Sequence, residues 1–176
     1  MTRAESLRYR GECFDYVRSW GGVVSSEEPA DWAVPYLDLV HHGPFALDPN
    51  PGSGPAMGIP IPLYDLVYHD AILLPWSLGK GAWGIPENDL GFLHGMGNAG
   101  LPYLSIEPSD EELARVKAMC ALNARVGLLE LMQHEFLDGS LRRQRFTYAD
   151  GTMVTIDLDA GTYTVSPDLK IPAAIR

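Results

Sequence analysis

The chain has 176 residues, 46% of them hydrophobic and 20% charged, which suits one globular domain. That length falls short of the roughly 200–250 residues that a complete (β/α)₈ barrel needs. A net charge of −10 with no basic run repels phosphate, which excludes nucleic acid and anionic membrane as partners and leaves neutral ligands such as sugars.

In chain order, residues 4–20 read as an amphipathic helix, with Leu7, Cys13, Phe14 and Val17 at helical spacing and Gly21-Gly22 ending it. Residues 22–26 (GVVSS) read as a short buried strand, an αβ step of a parallel α/β protein. Glu27 and Glu28 follow directly, then a polar turn at Pro29 to Trp32 and the run Val34 to Asp38. Residues 43–62 are too rich in Pro and Gly for regular structure. Leu63 to Trp76 is apolar and reads as a buried strand or two short pieces, interrupted by Asp65, His69 and Asp70. A second loop region covers 77–108, with a short helix around Asp89 to His94. The next helix starts at Ser109, where Glu112 completes a capping-box pattern, and runs to Ala124 or beyond. After Gly127 the character changes. Residues 128–137, 142–148, 152–158 and 162–165 read as strands, with Asp150-Gly151 as a hairpin turn and Asp159 to Gly161 as another. The reading is α/β: parallel-sheet units over 1–127, then an antiparallel β module over 128–176.

Cys13 and Cys120 are far apart in helical-looking segments and read as two buried free thiols. No stretch is long and apolar enough to span a membrane. Met1 to Arg10 is polar rather than a signal-peptide core, so the chain as it stands reads as cytoplasmic.

Three features carry chemistry. Catalytic groups of barrel enzymes sit at the C-terminal ends of strands, which is where Glu27 and Glu28 stand. Either is a general acid, or a solvated loop acid. Tyr68-His69-Asp70 lies inside an apolar run, where ionisable groups must be hydrogen-bonded. Asp70 orients His69, both hold sugar hydroxyls, or the pair ties a strand to a loop. Trp32, Tyr36, Tyr68, Trp76, Trp83 and Phe92 are aromatics in or beside loops, suited to stacking on sugar C–H faces or to packing the loops together. Asp38, His41, His42 and His94 match no zinc spacing, and residues 48–52 lack the alternating oxygens of a calcium loop. No phosphate-binding glycine pattern or G-x-S-x-G elbow is present. No metal and no cofactor is expected.

The runs Gly22-Val23-Val24-Ser25-Ser26-Glu27 with Ala30 to Pro35, Ile61 to Asp70 (IPLYDLVYHD), and Arg145 to Thr152 (RFTYADGT) resemble, in order and spacing, the glycoside hydrolases related to the endo- and exo-α-N-acetylgalactosaminidases. The resemblance covers most of residues 4–166, and VYHD is its most specific part. It implies the C-terminal part of a (β/α)₈ catalytic barrel over 1–127, the start of a β-sandwich over 128–176, and a retaining mechanism. It makes Glu27 the acid/base, puts His69 and Asp70 at the floor of the sugar site, and sets Trp32 and Asp38 on the loop facing substrate. Tyr68 and Trp76 complete the expected sugar contacts. The family's Asp nucleophile belongs on an earlier strand. Asp15, the one Asp before Glu27, lies within the expected helix, so the chain reads as a fragment lacking the nucleophile. Its expected partners are a carbohydrate or glycoconjugate substrate and the missing first part of the barrel, or another copy of itself. The alternative is a non-catalytic carbohydrate-binding or vestigial protein. A third, unrelated small hydrolase using His69 and Asp70, has no nucleophile elbow to support it.

Overall fold

The computed structural model describes residues 1–27, 30–41, 61–76 and 89–171. Helix α1 (Arg3–Arg18) begins at a capping box, with the Thr2 hydroxyl accepting from Glu5 N–H and the Glu5 carboxylate accepting from Thr2 N–H. One side of α1 packs on a 3₁₀ helix (Asp31–Tyr36): Gly11 gives room for the Tyr36 ring, and Phe14 lies against Trp32 and Tyr36. The expected apolar face is therefore only partly covered, with Leu7 and Val17 exposed. The two thiols are free but exposed, contrary to expectation. Cys13 falls outside the part of α1 that the 3₁₀ helix covers.

Four short parallel segments follow one another in space as in sequence. Strand β1 (Ser25–Ser26) pairs with β2 (Leu39–Val40), and β3 (Pro75–Trp76) pairs with β4 (Leu101–Pro102). A parallel bridge from Leu39 to Leu73 joins the two pairs, with Val40 N–H donating to Leu73 O at 3.1 Å. The ribbon has two faces. Val24, Val40 and Leu74 are buried on one, against Phe14, Trp32 and Tyr64. Ser25, Leu39 and Leu73 are in register on the other, where none is fully buried.

The run 63–76, expected as strand, instead starts with helix α2 (Asp65–Tyr68) and becomes extended at β3. Pro62 and Tyr64 carbonyls accept from Leu66 and Tyr68 N–H, closing helical turns that apolar content alone does not reveal. Helix α3 (Asp89–Gly97) leads into β4, and α4 (Asp110–Val126) follows it. The Ser109 hydroxyl caps α4 as expected, accepting from Glu112 N–H, but the Glu112 carboxylate accepts from Ser105 N–H and hydroxyl instead.

The tail is an antiparallel meander of β5 (Leu131–Phe136), β6 (Arg143–Tyr148), β7 (Met153–Asp157) and β8 (Thr162–Ser166). Gly151 and Gly161 take φ of +82° and +66° at the turns, as the sequence requires. Alternation on β6 and β7 buries Phe146, Tyr148, Val154 and Ile156 on one face. That face meets α3, which is buried on both sides. Gly97 admits the Phe146 ring from the sheet, and Gly95 admits the Trp76 indole and Met119 from the other side. A Cβ at Gly97 would sit 2.5 Å from Phe146. One core thus joins Trp76, Leu93, Met96, Met119 and Leu122 with Leu131, Phe146 and Ile156, across the boundary expected near residue 127. The chain is a mixed helix-and-sheet protein with a four-stranded antiparallel sheet. Among the described residues, no helix is long and apolar enough to cross a membrane.

Candidate functional site

The ribbon face that carries Ser25, Leu39 and Leu73 ends in three polar positions. Glu27 follows β1 directly and is exposed. In the register that pairs Ser26 with Val40, His41 is level with Glu27, and its N–H donates to Ser26 O at 2.9 Å. Tyr103 follows β4, with its N–H donating to Trp76 O at 2.8 Å. Although β3 lies between their strands, the His41 Nδ1 and Tyr103 Oη are 2.5 Å apart. Their rings are nearly parallel, at 11° with centroids 6.3 Å apart. That contact requires both side chains on the same face. By alternation Ser25, Glu27, Leu39 and His41 fall on it too. Parallel α/β architectures bind ligands and do chemistry at the C-terminal ends of their strands. Glu27, His41 and Tyr103 are the described residues at that edge. Glu28, His42 and Trp83 lie outside the described residues.

The other residues singled out in the sequence lie elsewhere. Trp32 is half-buried on α1, stacked on Phe14 with the Arg10 guanidinium 6.0 Å over its ring. Asp38 is a latch for the strand start: its Oδ2 accepts from Val24 N–H at 2.8 Å, and its Oδ1 pairs with Arg18 at 3.0 Å. Tyr68 is half-buried in an edge-to-face contact with Tyr64. Trp76 is wholly buried, its indole N–H donating to Gly91 O. His69 is buried on the helix side, with Nδ1 2.6 Å from Leu129 O and Nε2 3.2 Å from Asn98 O. A neutral imidazole carries one N–H, and the shorter contact assigns it to Nδ1. Burial holds this histidine below its usual pKa. It ties the end of α2 to the start of the antiparallel module through backbone carbonyls, while Asp70 is exposed to solvent. The structure therefore gathers Glu27 with His41 and Tyr103, and leaves His69, Trp76, Trp32 and Asp38 on the packed side.

Asp65 is the most perturbed carboxyl described. It is 2% exposed, its Oδ2 has no hydrogen-bond partner, and burial pushes its pKa up to about 8. Such a shift marks many general acids. Asp65, however, is sealed beneath the antiparallel sheet near Tyr148, away from the strand ends. No group of three or more His, Cys, Asp or Glu that could hold a metal occurs among the described residues.

Sequence reasoning passed over Tyr103 and weighed His41 only as a metal ligand. The missing signal was the two-residue strand β4, too short for any periodicity to mark Tyr103 as a strand-end residue.

No protein-family model and no curated protein matches the chain. Solved structures do. A quadruple mutant of α-N-acetylgalactosaminidase NagBb from Bifidobacterium bifidum superposes with a TM-score of 0.83 at 38% identity over 96% of this chain. The ligand-free form gives 0.82 at 39% over 94%, and the GalNAc complex 0.79 at 38% over 94%. The chain spans only 27–28% of the length of those structures. In both sequence and fold, the chain resembles the α-N-acetylgalactosaminidase-related glycoside hydrolases over nearly its whole length.

Proposed function

We propose that this chain supplies the acid/base side of a retaining α-N-acetylgalactosaminidase-like active site, as the last strands of a (β/α) barrel together with the start of a β-sandwich. The observation that carries this is Glu27: a carboxylate directly after a parallel strand, level with His41, on the face opposite the helices. In a barrel that face is the lumen, and its C-terminal mouth is where catalysis occurs. The 38% identity to an enzyme with a solved GalNAc complex supports a sugar as the ligand.

Glu27 protonates the glycosidic oxygen as the leaving group departs, then deprotonates the water that releases the sugar. A retaining mechanism also needs a second carboxylate about 5–5.5 Å from the first. The described strand ends at 27, 41 and 103 hold one carboxylate, Glu27, and in this reading a further strand of the barrel supplies the nucleophile. The stripe Tyr9, Tyr16 and Trp20 on and just after α1 is exposed apolar surface of the kind a neighbouring barrel unit covers. The sugars, the glycoconjugate and the barrel partner follow from this reading together. His69 acts within it by fixing the barrel's end to the antiparallel module, while Asp70 stays exposed beside it. Trp32, Asp38, Tyr68 and Trp76 shape the scaffold beneath the mouth.

The test is a chimaera in which this chain replaces the matching segment of the B. bifidum enzyme. Its hydrolysis of an aryl α-N-acetylgalactosaminide should fall roughly 10²–10⁴-fold with Glu27→Gln. Undiminished turnover by that variant would remove Glu27 from the mechanism and leave a binding role.

A further inference from the structure

The His41–Tyr103 pair is not used by the acid/base chemistry, yet its geometry is more constrained than loop packing requires. Two residues 62 positions apart reach over an intervening strand to form a hydrogen bond at the ligand-binding edge of the ribbon. The register supports a shared layer. Pro75 pairs with Leu101, so Tyr103 stands two residues beyond the β4 position nearest the level of His41. Their strands are two steps apart along the ribbon, with β3 between them. In a barrel of eight strands and shear eight, the stagger is about one residue per strand, and inward residues from alternate strands form one layer. His41 and Tyr103 have that relationship. Both are open to solvent in part, Tyr103 at 46%. Among the described residues, the other imidazole nitrogen, Nε2, has no hydrogen-bond partner.

We propose that His41 and Tyr103 form a sugar-binding dyad, in which the Tyr103 hydroxyl donates to Nδ1 and so presents Nε2–H to an oxygen of a neutral sugar at the strand ends. The inference rests on the reading of this edge as a glycosidase mouth, and adds to it a binding residue and a positioning residue. The chemistry is that of tautomer selection. Which imidazole nitrogen carries the proton is set by the bond the other one makes. A phenol is a donor while protonated, and burial raises the Tyr103 pKa, which keeps it so. An N–H donor suits any sugar oxygen, above all an acetamido carbonyl, which only accepts. The nearly parallel phenol and imidazole also form an aromatic wall beside that donor.

The experiment uses the chimaera with the B. bifidum enzyme, in which the rest of the barrel completes the site, with ¹⁵N-labelled histidine and backbone. Imidazole ¹H–¹⁵N spectra report the His41 tautomer, and free N-acetylgalactosamine is titrated in. The expected result is an Nε2–H tautomer for His41 and a shift of that resonance on adding the sugar. Tyr103→Phe should mix the tautomers and weaken the sugar response by about 3- to 10-fold, the worth of one hydrogen bond. His41→Gln, which keeps a side-chain N–H donor, should bind more tightly than His41→Ala. Amide dispersion from the antiparallel sheet checks that each variant folds. If the sugar shifts the Glu27 amide but not His41, or if Tyr103→Phe leaves both the tautomer and the titration unchanged, the dyad is refuted while the glycosidase reading stands. If the sugar perturbs nothing at this edge, both fall.

Discussion

Replacing Asp65 with asparagine tests the packing of the helix side through its pH dependence. The folded carboxyl is pushed by burial from 3.8 up to about 8. The folded state therefore holds a proton that the unfolded chain releases near pH 4. With one proton bound when folded and none when unfolded, stability falls as pH rises, by about 1.4 kcal/mol per unit between roughly pH 4 and 8. The contribution is fully present below about pH 4 and gone above about 8. The upper bound of the loss is about 6 kcal/mol, on the order of a domain's whole stability, and local opening to water reduces it. The asparagine side chain has no such titration. Its unpaired amide shifts stability by a constant amount of about 1–3 kcal/mol without changing the slope. The assay is urea unfolding of both proteins at about pH 5, 7 and 8.5, which spans the window. The variant should gain on the wild type steadily with pH, by at least about 2 kcal/mol across that range. A difference that stays constant, or moves against the variant, would mean that Asp65 is ionised and paired in the folded chain, and the reasoning fails.

Other perturbations probe the same core and the site. His94 has its pKa lowered to about 4, chiefly by burial, so stability should fall as pH drops from about 6.5 towards 4. Substituting His94 with Gln should flatten that limb of the stability–pH curve. Gly97→Ala drives a Cβ into Phe146 and should cost about 1–3 kcal/mol in chemical denaturation, whereas Gly151→Ala meets open space and carries only the cost of its positive φ. Tyr148→Phe removes the 2.6 Å bond to Gly97 O, leaves a buried carbonyl unpaired, and should cost about 1–3 kcal/mol by the same assay.

Much of the architecture could be read from residues that act locally. Ser109 ahead of Asp110-Glu111-Glu112 marks the start of α4, because a cap needs only its own turn. Asp150-Gly151 marks the β6–β7 hairpin, because a positive φ selects Gly. Val23 to Ser26 leads to the acid at the strand end. The hidden parts depend on distance. Leu63 to Trp76 carries no period that separates helix from strand, and the turn at α2 follows from the sheet packed over Asp65. His69 looked like a site residue because a buried histidine in an apolar run demands partners. The partner is the Leu129 carbonyl, 60 residues away, with the Asn98 carbonyl on the ring's other side, and no local pattern names either. Trp76 looked like a sugar platform, but Gly95 and Gly100 fold around its indole. Tyr103 meets His41 across 62 residues, so only the assembled ribbon reveals the pair.

In the proposed function Glu27 is the acid/base at the ribbon's end. The most direct measurement is leaving-group dependence in the Glu27→Ala chimaera, with azide present. The account predicts that poor leaving groups lose orders of magnitude in kcat/KM and activated ones lose little, since only poor ones need the proton. It also predicts that azide restores turnover by forming the α-glycosyl azide. Equal losses for both classes, with no azide product, would contradict it.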